Sequence, residues 1–200
     1  MLAIGLTGNI GCGKSSLSKI LEANSFDIID ADLISRDIMN NKELLESIFE
    51  TFGNNIKNID GTLNRKKLGN IVFNDDKKLK KLNSLTHPAI KNEIKKRIDN
   101  LKNKNKGFAI VDAALLVEGG FLGLVDKLVV ITCKESVQLE RVKKRDNLTE
   151  SEAMDRIKSQ MSQSEKVKFA DYVIDNSLDL EELNYEAHKL ITFIKERWCE

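Results

Sequence analysis

The chain has 200 residues, 41% of them hydrophobic and 32% charged, with a net charge of +1. That is enough chain for one globular domain, or one domain with a small lobe, and it is too apolar for a disordered or fibrous polymer. The near balance of charge argues against dedicated nucleic-acid binding, the three scattered cysteines (Cys12, Cys133, Cys199) match no zinc-ligand spacing, and no apolar run approaches the roughly 20 residues of a membrane span.

The N-terminal MLAIGLTGN lacks the basic region of a signal peptide. Its apolar LAIGL at 2–6 reads as a strand buried on both faces, and residues 15–23, with Leu17, Ile20 and Leu21 on one side, read as a helix. Between them, Gly8, Gly13, Lys14 and Ser15 fit the spacing G-x-x-x-x-G-K-[ST], in the strand–turn–helix context that this phosphate cradle requires. Backbone amides along Gly8, Asn9, Ile10, Gly11, Cys12, Gly13, Lys14, Ser15 and Ser16 can wrap a phosphate. The Lys14 ammonium can reach the terminal phosphates, and the Ser15 hydroxyl can ligate Mg²⁺ directly. Bare backbone at the glycines is what close approach to an anion demands. Cys12, beside a helix N-terminus, is expected to have a lowered thiol pKa, so that its oxidation would block the site.

FDII at 26–29 reads as a second strand, ending in Asp30 and Asp32. Two residues apart, they fall on one side of an extended chain, where either can serve as general base for a hydroxyl or hold the metal, or both can cap a helix beginning near Leu33. From 33 to 106 the pattern is helical with no convincing strand, which reads as an inserted acceptor lobe. Pro88, the sole proline, suits the first turn of a helix over 89–101 with Ile90, Ile94, Ile98 and Leu101 on one face. His87 before it either packs at that helix start or contacts substrate.

FAIV at 108–111 reads as a third strand, placing Asp112 where an acid can hold Mg²⁺ through water. Glu118 closes the following LLVE run. After a fourth strand, LVVIT at 128–132, residues 139–161 read as two charged helices joined near Asp146–Thr149, Thr149 and Glu152 having capping-box spacing. Arg141 and Arg145 share a helix face there and, with Lys144 and Arg156, can stabilise charge on a transferring phosphoryl group or form a solvated face with Glu140 and Asp146. YVI at 172–174 is the fifth strand, and a last helix starts at Asp179, with Glu182 at capping-box spacing. Strands alternating with helices imply an α/β fold: a P-loop, three-layer domain with a parallel sheet of about five strands, a helical acceptor insertion and a helical lid. The expected division is a core of 1–32, 107–138 and 165–200, a lobe of 33–106 and a lid of 139–164.

Read from the residues alone, a P-loop kinase acting on a nucleoside or nucleoside monophosphate stays open beside other acceptors. A GTP switch is disfavoured because NKNK at 103–106 lacks the acid of an N-K-x-D guanine reader.

The series IGLTGNIGCGKS, IIDAD, DGTLNRKKLGNIVF, LNSLTHPAI, LLVE, QLERVKKRD, RIKSQ and ADYVIDN resembles, in content and order, the dephospho-coenzyme A kinases over residues 1 to about 176. The resemblance implies transfer of the γ-phosphate of ATP, with Mg²⁺, to the ribose 3′-hydroxyl of dephospho-coenzyme A, the last step of coenzyme A synthesis. It implies Asp32 as the base, Arg65 and His87 toward the acceptor, Arg141 and Arg145 from the lid, and Asn176 near the adenine. The chain departs from the family pattern at Asn9, at Cys12 and at Ala114, which replaces a usual proline. The whole reading expects a soluble, cytoplasmic enzyme, monomeric or weakly self-associating, with neither nucleic-acid nor membrane partners.

Overall fold

The computed structural model describes residues 1–72 and 75–198. Phe73 of the NIVF run and Cys199 lie outside the described residues. Five parallel strands form one sheet in the order β2-β3-β1-β4-β5: β1 (Leu2–Gly8), β2 (Asp27–Asp30), β3 (Phe108–Asp112), β4 (Lys127–Thr132) and β5 (Tyr172–Asp175). The expected five-stranded α/β fold is the one observed. β1 is central because LAIGLTG has six consecutive buried positions, a pattern only a strand covered on both faces can carry. Register sets the carboxyl edge: Gly8 lies beside Ile131, and Asp30 beside Asp112.

The chain forms two compact units, one of Met1–Asp30 with the chain from Arg97 onward, the other of Ala31–Lys96. In the first, α1 (Lys14–Ala23) and α9 (Leu180–Arg197) cover one side of the sheet, closing a core that includes Ile4, Leu6, Leu17, Ile131, Leu190 and Ile194. Asp179 caps α9 by accepting from the Glu182 amide. The charged pair is α6 (Glu135–Asp146) and α7 (Glu150–Lys158), with the Thr149/Glu152 capping box formed, followed by α8 (Gln163–Val167).

The second unit holds α2 (Ala31–Ile38), α3 (Lys42–Phe52), α4 (Arg65–Val72) and most of α5 (Asp76–Asn103). Ile48, Phe49, Ile56, Leu68, Val72 and Leu82 give it a core of its own. Pro88 is not in a first turn, as its sequence context suggests: it lies inside α5. A proline there removes an amide donor and costs about 3 kcal/mol. Leu82 and Thr86 before it and Ile90 and Ile94 after it are all buried, so packing on both sides carries the helix through.

One charged side chain in the core organises the region after β3. Lys166 on α8 is fully buried; its Nζ donates to Ala114 O at 2.8 Å and lies 3.0 Å from Glu118 Oε1. The Thr7 hydroxyl donates to the same Ala114 carbonyl. The corner is therefore fixed through its carbonyl although Ala114 stands in place of a proline. Lys166 is the buried member of the pair and Glu118 is exposed, so it is removal of the acid that strands a buried charge, and Glu118→Ala is expected to cost about 3 kcal/mol. Urea unfolding checks this, and the Lys166→Met, Glu118→Gln double variant is expected to recover part of the loss.

Candidate active site

The loop between β1 and α1 carries two residues in the left-handed region, Gly11 (φ 83°) and Gly13 (φ 95°). Gly13 is the N-cap of α1 and makes no side-chain cap, so the positive end of the helix dipole is left for something else. The glycines answer a second demand besides anion approach. A β-carbon at Gly8 would run into Ile131, and one at Gly13 into the Asn176 amide. The loop sits on the protein as closely as it must sit on a ligand.

Lys14, the first residue of α1, forms an ion pair with Asp112 at the end of β3, and the two side chains are 13% and 8% exposed. Ser15 and Ser16 follow in the first turn of α1. The structure therefore brings together Gly8 to Ser16, Lys14 and Asp112 at the carboxyl edge of the sheet, where open α/β sheets bind their ligands.

Asp30 and Asp32 do not share an extended face. β2 stops at Asp30 and α2 starts at Ala31, so the two-residue alternation ends at Asp30 and Asp32 belongs to the first turn of a helix. Its carboxylate is half-buried. Also in the second unit, Arg65 opens α4 and donates to Arg36 O at 2.7 Å. His87 is half-buried in α5, where burial and then the Lys91 charge hold its imidazole below the ordinary 6.5.

The two arginines of α6 are engaged separately. Arg141 donates to Asn176 O at 2.7 Å and to Leu178 O at 2.8 Å, which fastens α6 to the β5–α9 connection. Arg145 makes two bonds to the Asp146 carboxylate, at 2.8 and 2.9 Å, and Arg156 reaches the same carboxylate at 2.6 Å. Hydrogen bonding from Arg145 holds the Asp146 carboxyl below the usual carboxylate range. Asn176 is buried, and its Nδ2 donates to Cys12 O at 2.8 Å, so its amide supports the loop from beneath. It also lines a cavity of about 220 Å³ with Gly13, Ser16, Arg141, Asp179, Leu180 and Leu183.

The expectation for Cys12 is overturned. Its side chain is fully buried, with the Cys133 Sγ 3.4 Å away. Keeping its proton in the hydrogen bond it shares with Cys133, reinforced by burial, pushes the Cys12 thiol well above its ordinary value. Desolvation outweighs any help from the helix dipole.

Sequence reading missed the side-chain amides that grip the loop. Gln160 Oε1 accepts from Ile10 N at 2.8 Å, Gln138 Nε2 donates to Ile10 O at 2.8 Å, and Asn9 Nδ2 donates to Met161 O at 2.8 Å. The signal open to it was the RIKSQ run ending in Gln160.

The dephospho-CoA kinase family model matches residues 2–182. The chain belongs to the dephospho-CoA kinase family. It is 41% identical over 191 residues to the dephospho-CoA kinase of Oceanobacillus iheyensis, covering 95% of this chain and 96% of that one. Among solved structures it resembles the dephospho-CoA kinase from Campylobacter jejuni (TM-score 0.72, 34% identity, 96% of each chain). It also resembles TT1252 from Thermus thermophilus (TM-score 0.82, 28% identity, 96% of each chain).

Two measurements follow from these environments. Iodoacetamide at pH 8 is expected to leave Cys12 unmodified in the native protein and to label it in urea, as peptide mass mapping would show. Because the folded pKa of His87 lies below the unfolded value, the unfolded chain takes up the proton first as pH falls below 6.5. The stability difference between wild type and His87→Gln should thus be constant above that pH and move in favour of the variant below it, measured by denaturant titration at a series of pH values.

Proposed function

We propose a specific division of labour among the residues of this ATP-dependent phosphotransferase, which as a dephospho-CoA kinase transfers the γ-phosphate of ATP to the 3′-hydroxyl of dephospho-coenzyme A. The loop from Gly8 to Ser16 holds the ATP phosphates through amides other than those of Ile10, Cys12 and Ser16, which bond Gln160, Asn9 O and Gly13 O, and Lys14 neutralises the terminal ones. Asp32 accepts the proton of the ribose hydroxyl, Arg65 and His87 bind the acceptor, and Asn176 lies by the adenine. Arg141 and Arg145 stabilise charge on the phosphoryl group in flight. The observation that carries this reading is the Lys14–Asp112 pair at the mouth of an uncapped glycine loop. An ammonium held there is already desolvated and aimed, which is most of what phosphoryl transfer asks of a protein.

Among the described residues no group of three or more His, Cys, Asp or Glu forms a metal cage. The cradle instead offers the Ser15 hydroxyl and the Asp112 carboxylate. These hard oxygens suit Mg²⁺, an ion that keeps several waters and shares its ligands with phosphates. Ser15 would hold it directly and Asp112 through water, and the ion would offset phosphate charge. Neutral His87 suits a contact that accepts or donates a hydrogen bond without adding charge. Two helical stretches, 33–106 and 139–164, act as acceptor lobe and lid, the lid excluding water so that ATP is not hydrolysed without acceptor. No described helix is long and apolar enough to cross a membrane; the cytoplasm is the proposed compartment.

The deciding experiment incubates the protein with Mg²⁺-ATP and a panel of acceptors, including nucleoside monophosphates, and identifies products by mass. Coenzyme A is the expected product, and Lys14→Ala should abolish it together with ATP binding. Asp32→Asn is expected to retain ATP affinity by calorimetry and to lose turnover by about 10²-fold or more. Near-normal turnover in that variant removes Asp32 from the role.

A further inference from the structure

Ile10 is held at both of its backbone polar groups, which belong to successive peptide units, by side chains that no step of the reaction uses. Its N–H donates to Gln160 Oε1 and its carbonyl accepts from Gln138 Nε2, each at 2.8 Å. Gln138 is buried, and its own Oε1 accepts from Gln163 Nε2 at 2.9 Å. Gln163 Nε2 also donates to Cys133 O, while its Oε1 accepts from Cys133 N at 2.8 Å and from Cys12 Sγ at 3.3 Å. One residue back, Asn9 Nδ2 donates to Met161 O, and Met161 N donates to Glu118 Oε1 at 3.2 Å. Residues 9, 10 and 12 of the loop are thus tied at successive points to the α7–α8 connection and to α6.

We propose that Gln160 and Gln138 are positioning residues that hold the two peptide units flanking Ile10 in the orientation the ATP phosphates require, so that the cradle is formed before nucleotide arrives. This inference rests on the reading that residues 8–16 grip those phosphates. A loop rich in glycine has many backbone states to lose on binding. Fixing the peptide units on both sides of Ile10 restrains its two backbone dihedrals beforehand, and the saving appears as affinity for the phosphate-bearing substrate. Glutamine suits the task because one side chain carries both a donor and an acceptor. Gln138 uses both, giving its N–H to Ile10 and its oxygen to Gln163. Gln160 gives Ile10 its oxygen. A further consequence is that the connection at 160–163 moves with the cradle, so lid displacement is confined to the helices beyond it.

The asymmetry in how the two amides are used supplies the test. With Mg²⁺-ATP and dephospho-coenzyme A as substrates, Gln160→Ala is expected to raise KM for ATP about 3- to 10-fold, the size of one lost hydrogen bond. KM for dephospho-coenzyme A should stay within about twofold and the melting temperature should barely move. Gln160→Glu keeps the acceptor and should recover most of the loss. Gln138→Glu sets a carboxylate against the Ile10 carbonyl and should be at least as damaging as Gln160→Ala. In the nucleotide-free enzyme, amide exchange at Ile10, followed by NMR, should quicken in Gln160→Ala. An unchanged KM for ATP in Gln160→Ala, an equal rise in both KM values, or no change in Ile10 exchange would each overturn the proposal. Lys14→Ala serves as the control on the underlying reading: if it binds ATP normally, the cradle assignment itself has failed; if it does not, a null result at Gln160 counts against the clamp alone.

Discussion

A loop that offers bare amides to an anion cannot hold its own shape, because the side chains that would pack it are the ones it must omit. Its form is imposed by neighbours. Ile131 and the Asn176 amide set the surface on which Gly8 and Gly13 rest, and glutamines fix the two peptide units that meet at Ile10 between them. The β1–β4 register places Ile131 beside Gly8, so the pairing of two central strands determines where the loop begins. The parallel sheet is in this sense part of the binding site.

A second support runs through charge. Taking the Lys166 ammonium out of water is costly, and it is offset by the Glu118 carboxylate and the Ala114 carbonyl. Ala114 lies two residues after Asp112, so the corner held by that carbonyl is the one that presents the partner of Lys14. Glu118 also accepts from Met161 N, which joins this support to the segment carrying Gln160. Polar groups that look scattered along the chain form one connected frame behind the cradle.

The parts legible in the sequence were those whose physics is local. Strands covered on both faces appear as unbroken apolar runs, and the cradle has a spacing fixed by backbone geometry; both could be read directly. Pro88 misled because local preference places proline at a helix start, while burial of Leu82, Thr86, Ile90 and Ile94 carries α5 past it. Asp32 misled because an alternation valid to Asp30 gives way one residue later to a helix. For Cys12 the helix dipole was visible in the sequence and the opposing Cys133 thiol, 121 residues away, was not. Lys166, Gln138 and Gln160 sit in charged stretches where a lysine or glutamine looks like surface. Their importance comes entirely from partners distant in the chain.

Asp146 gathers two guanidinium groups from the same helical hairpin. Any anion that recruits Arg145 therefore enters a trade, since the carboxylate it displaces is the adjoining residue and is present at a very high effective concentration. A free monovalent ion from the buffer competes poorly against such a tethered rival. A polyphosphate already anchored elsewhere competes on equal terms, because it too is held in place. On the role proposed for Arg145, the hairpin would favour a multiply charged, immobilised ligand over stray anions, by a margin that the exposure of both guanidinium groups keeps small.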